Sequence, residues 1–162
     1  MTGGDIELDD EDIDGDEDSE TSAAYFFSKD SGFVKTENMP SPRSFHACGV
    51  HQGQVVVAGG LPGLPGEPGR GPPNSLTSDY FSLDTLTWHR GPNLERKQGV
   101  RSDARSVDFV SWNKRAFLIG EQSIWELKGT DKTTWKWDTV AEMETYRKYF
   151  KAFVMPAKYC RG

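Results

Sequence analysis

Residues 43–60 read Arg43-Ser-Phe-His46-Ala-Cys48-Gly-Val50-His-Gln-Gly-Gln-Val55-Val-Val-Ala-Gly59-Gly60, and this stretch decides the fold. Val55 to Ala58 is a short unbroken apolar run, the signature of a buried strand. Two glycines close it, where a tight turn or a positive φ would set a Cβ against its surroundings. The segment before it, Arg43 to Val50, alternates in character and fits a neighbouring strand. Moving outward, the pair recurs. Arg105-Ser-Val-Asp108-Phe-Val110 is the counterpart of the first segment. Phe117-Leu-Ile-Gly120-Glu121 is the counterpart of the second, with Glu121 in place of the second glycine. Thr2-Gly3-Gly4 has the form of the same strand end in an earlier copy.

A second series runs in step with the first. Phe33, Trp88 and Trp137 are spaced by 55 and 49 residues. Six residues after each stands Met39, Leu94 or Met143, and four further on Arg43, Gln98 or Arg147. Phe26 and Phe81 precede the first two aromatics by seven residues, whereas in the third copy Trp125 is separated from Trp137 by the polar stretch Lys128 to Thr134. A self-similar period of about 50 residues is the mark of a repeat architecture.

This ordered set resembles the kelch repeat: Arg-x-x-His, a hydrophobic strand closing in Gly-Gly, an aromatic strand, then Trp and Met six apart. Phe33, Leu94, Gln98 and Glu121 depart from it. The resemblance implies an all-β chain of kelch-type β-propeller blades, each a four-stranded antiparallel sheet with strands a (innermost) to d (outermost). The structural repeat positions are then Gly3, Gly4, Phe33, Met39, His46, Gly59, Gly60, Trp88, Leu94, Gly120, Trp137 and Met143. Trp88, Trp137, Met39 and Met143 are expected as packing between blades.

The division along the chain follows. Residues 1–43 form a partial blade, strands c and d, with an acidic b–c loop at 5–20. Residues 44–104 form a blade with a Gly/Pro-rich loop at 61–77, and 105–146 a third blade. Residues 147–162 hold a closing strand, from Tyr149 to Met155, and a tail. Propellers close with 4–8 blades, so this set is an incomplete ring, expected as the C-terminal part of a longer protein whose remaining blades are its first partner.

Charge is uneven. The net charge is −6, but 11 of the 16 residues from Asp5 to Glu20 are acidic. Such a block stays solvated. Its Asp10-Glu-Asp12-Ile-Asp14-Gly15 imitates the opening of a calcium loop, yet the position that needs a bidentate Glu is Thr21. The run Gly60 to Gly69 imitates collagen triplets but is far too short, and reads as a semi-rigid loop. Lys and Arg are scattered, so no nucleic-acid partner is expected. No stretch approaches the roughly 20 apolar residues of a membrane span. The two cysteines, Cys48 and Cys160, do not fix a redox compartment, and localisation stays open.

For function, the b–c and d–a loops emerge at one end of a meander, and loops on a rigid scaffold carry binding disproportionately. The family resemblance implies a protein-binding scaffold or adaptor rather than an enzyme, with no cofactor. Candidate contacts are Arg43, Arg70, Arg101 and Arg147. For Arg43 and Arg147 two roles are open: a bidentate pair with a partner carboxylate, or bonds to loop carbonyls within the fold. The second reading is part of a copper enzyme resembling galactose oxidase. Tyr80, Tyr146, Tyr149, His46 and Cys48 are of the right types, but no motif aligns them. His46, Cys48 and His51 are not expected to bind metal, because His51 points to the other face of the strand.

Overall fold

The computed structural model describes residues 22–62, 76–95 and 106–155. Among them are strands, turns and no helix. Tyr25–Ser28 (β1) and Gly32–Lys35 (β2) form a two-stranded antiparallel ladder. Arg43–Ser44 (β3) pairs with Leu61–Pro62 (β6). Ala47–His51 (β4), Gln54–Ala58 (β5), Ser78–Ser82 (β7) and Thr87–Arg90 (β8) form a four-stranded sheet in that order. Asp108–Trp112 (β9), Arg115–Ile119 (β10), Ser123–Lys128 (β11) and Lys136–Glu142 (β12) form a second. Every ladder is antiparallel, each four-stranded sheet is a plain meander, and no sheet closes on itself.

The valine run becomes a central strand because both faces of its sheet are covered. Val56 and Ala58 face the second four-stranded sheet and share one core with Leu94, Leu118, Trp125 and Trp137. Val57 faces the other way and packs with Ala24, Met39 and Trp88. Alternation along a strand sends neighbours to opposite faces, so a strand buried on both reads as continuously apolar. The repeat is also visible in the backbone. Met39 N donates to Ser22 O at 2.8 Å, Leu94 N to Leu76 O at 2.7 Å, and Met143 N to Gln122 O at 2.7 Å. The acceptors are spaced by about the same interval as the aromatics, so one linkage is built three times.

The two glycines have separate reasons. Both have positive φ, 68° at Gly59 and 87° at Gly60. A Cβ at Gly60 would also overlap the Ser44 carbonyl. Glu121 is not in the left-handed region, so the corresponding turn after β10 takes another path. Gly120 is held small by the Trp125 ring instead.

Several expectations need correction. Phe33 is 57% exposed, since among the described residues nothing covers the outer face of the β1–β2 ladder. Its cross-strand partner is Phe27, whereas Trp88 faces Phe81, so this hairpin is one residue shorter than the repeat implied. Trp88 is half-buried, packed against Ala24, Met39 and Val57 with its ring 5.2 Å from that of Phe81. Arg43 pairs with Pro62 in the separate β3–β6 ladder, so the residue at the boundary is tied to the segment that follows it. Residues 149–155 form no strand. Tyr149 N donates to Ser106 Oγ at 3.0 Å and Ala152 N to Asp108 Oδ2 at 2.6 Å, so side chains at the start of β9 take the bonds a strand edge would offer.

Gly49 was not singled out by the repeat, yet it sets how closely the sheets approach. A Cβ there would sit well inside contact distance of the Phe109 ring. Gly49→Ala is expected to cost about 1–3 kcal/mol, the usual range for overpacking, read as a lower urea midpoint. Adding Phe109→Leu should recover part of that loss, and an unchanged midpoint in Gly49→Ala would contradict the sheet-on-sheet contact.

Candidate functional site

The connections β5–β7 and β8–β9 leave from one end of the two sheets, and their stems are anchored by buried polar groups. The Arg43 guanidinium donates through Nη1 to Gly59 O at 3.0 Å and Thr77 O at 3.1 Å. Through Nη2 it donates to Thr77 Oγ1 at 3.3 Å and Asp79 Oδ2 at 2.6 Å. Gly59 N also donates to Thr77 O at 3.1 Å. Both stems of the 60–76 connection therefore converge on one guanidinium. Arg43 and Asp79 are 2% and 0% exposed. Burial draws the Arg43 pKa below its ordinary value, opposed by the charge and hydrogen bond of Asp79. At the next connection, Trp125 Nε1 donates to Glu95 O at 3.2 Å, and Arg147 N donates to Glu121 O at 2.9 Å.

The opposite end carries the tight hairpin turns and a groove of about 800 Å³ between the sheets. Tyr80 and His89 stack at 5.1 Å and 21° along one wall. Trp135 meets the Tyr80 edge at 5.3 Å and 71°. Trp135 is fixed by its Nε1, which donates to Gln52 Oε1 at 3.1 Å, while Gln52 Nε2 donates to Gly129 O at 2.9 Å. Asp131 caps the overhanging turn by accepting from Thr133 Oγ1 at 2.6 Å, Thr133 N at 2.9 Å and Thr134 N at 3.2 Å, and these bonds, the Thr133 hydroxyl first, hold its carboxyl below the usual range. Lys132 Nζ lies 3.7 Å from Asp84 and donates to Ser82 Oγ at 3.3 Å. Behind the groove, burial pulls the His51 imidazole down in pKa, and its ring lies 5.4 Å from Trp135. Beside it, Arg115 grips Glu126 through Nε at 2.5 Å and Nη2 at 2.9 Å, and this bond lowers the Glu126 carboxyl.

Of the arginines expected as partner contacts, Arg43 is instead an internal clamp, buried between the stems of the 60–76 connection. Arg147 is exposed at the loop end. Arg70 and Arg101, Gly3 and Gly4, the acidic block 5–20 and most of the two long connections lie outside the described residues. Among the described residues no three His, Cys, Asp or Glu side chains gather so as to hold a metal ion. Cys48 is exposed and free, on the face of β4 opposite His51. Neither Asp79 nor Thr77 belongs to the repeat pattern in the sequence. The available signal was a carboxylate, Asp79, inside the otherwise strand-like Ser78-Asp79-Tyr80-Phe81.

No protein-family model matches the chain, and no curated protein does. Among solved structures, that of YjhT is similar in fold, with a TM-score of 0.54 and 11% sequence identity. The match spans 76% of this chain and 46% of that one, so this chain covers less than half the neighbour's length. At such identity the likeness concerns the fold alone.

Proposed function

We propose that the two four-stranded sheets are blades of a kelch-type β-propeller, and that the chain works as a protein-binding scaffold through its long-loop end. The observation that carries this reading is the Arg43 clamp, which roots both stems of the 60–76 connection in buried structure. A loop on a fixed base presents its contacts at lower entropic cost than a free one. The blade reading rests on the recurring backbone linkage at Met39, Leu94 and Met143, together with the repeat in sequence. The remaining candidate contacts at this end are Arg70, Arg101 and Arg147.

Charge at the rim of an interface acts mainly on the rate of encounter and its salt dependence. Removing residues 5–20 should therefore change the association rate with a protein partner and the slope of that rate against salt. Lys114→Glu, in the β9–β10 turn at the other end, should leave both unchanged. The measurement is association kinetics across ionic strength for wild type and the two variants. An effect of Lys114→Glu without one from the deletion would place the binding face at the wrong end.

A further inference from the structure

We infer that the groove between the sheets at the hairpin end is a second site, which takes the side chain of an arginine presented by a protein or peptide. It stands apart from the long-loop face and does not depend on that proposal. Its lining is aromatic and continuous: Tyr80 and His89 stack, Trp135 meets Tyr80 at 71° and 5.3 Å from within the core, and the His89 ring is the exposed face. Gln54 lines it and is 5% exposed, and its carbonyl Oε1 has no hydrogen-bond partner among the described residues. A buried acceptor left unpaired is costly, and a donor from a ligand removes that cost.

The chemistry selects the ligand. A purely apolar group would leave the Gln54 carbonyl as it is. An anion would meet Asp84 and Asp131, while the neighbouring cation, Lys132, is already engaged by Asp84 and Ser82. A planar cation rich in donors meets every feature. Guanidinium stacks on aromatic faces and offers a fork of N–H groups. One arm bonds the Gln54 carbonyl once that buried amide turns toward the groove, and another joins Lys132 at Asp84, whose side chain is 76% exposed beside the groove. An ammonium has no plane to stack and is more strongly hydrated, so lysine is the weaker ligand. The lining is already braced without any ligand. Gln52 holds Trp135, and Asp131 holds the turn above it. Such preorganisation lowers the cost of binding.

The test uses the whole chain and two small probes, N-acetyl-arginine methylamide and its lysine counterpart. Binding is followed by the NMR shift of the Trp135 indole N–H during titration. The arginine probe should give a saturable shift, with an affinity about tenfold higher than the lysine probe, as expected for a charge-assisted bond and a stacked plane. Gln54→Met keeps the side-chain volume but removes the acceptor, and should weaken arginine binding severalfold while leaving the Trp125 and Trp137 indole signals in place. Asp84→Asn should weaken it and reduce its salt dependence. No saturable shift, equal affinity for the two probes, or full binding by both variants would overturn the assignment.

Discussion

Asp79→Ala is expected to destabilise the chain by about 3–5 kcal/mol, the cost of leaving one partner of a buried ion pair alone. The carboxylate is fully buried and accepts from Arg43 at 2.6 Å, and Arg90 approaches it only from outside, at 3.9 Å with a 63% exposed side chain. Without Asp79 the Arg43 guanidinium keeps its bonds to Gly59 O, Thr77 O and Thr77 Oγ1 but loses its counter-charge. An uncompensated buried cation is what makes such truncations severe. Arg43→Met combined with Asp79→Leu removes both charges together and should recover much of the loss, since replacing a whole buried pair by apolar groups is often close to neutral. Urea unfolding of the wild type and the two variants reads this directly. A single-variant loss below about 1 kcal/mol, the value of an exposed pair, would mean the clamp is solvated.

Trp137→Ala should be comparably severe, at about 3–5 kcal/mol for truncating a large core side chain. Trp137 is 1% exposed, sits in the core shared by both four-stranded sheets, and donates through Nε1 to Ser78 Oγ of the facing sheet at 3.1 Å. Leu94 bridges to it across the same contact. Trp88→Ala, at the equivalent place in the repeat, should cost clearly less, because that ring is half-buried and its Nε1 has no partner among the described residues. Equal losses in the two variants would contradict the asymmetry of burial.

What was legible in the sequence followed from local rules. Gly60 announced a backbone position that no side chain could occupy, and the structure shows the Ser44 carbonyl against it. The valine run announced a strand covered on both faces, as Val56 and Val57 are. The spacing of Trp88 and Trp137 announced equivalent outer strands, although spacing alone could not say how well each would be covered. Contacts across sheets were not legible. Gly49 against Phe109, and Tyr80 against Trp135, join residues far apart in sequence whose meeting depends on packing. Arg43 was ambiguous because a guanidinium serves a partner carboxylate and an internal carbonyl equally well, and only the burial of Asp79 decides between them. The stretch Tyr149 to Met155 has strand-forming residues, but such residues form a strand only beside a free edge. Here Ser106 and Asp108 side chains take its backbone donors instead.

The long-loop end of the sheets is the proposed binding face. Hydrogen–deuterium exchange of the chain with and without a bound protein partner tests it residue by residue. Binding of a partner at the long-loop end should slow exchange in the connections 60–77 and 95–104, whether or not the groove beside 129–134 is also occupied. Protection of 129–134 and the β7–β8 turn, with 60–77 and 95–104 unaffected, would contradict the account.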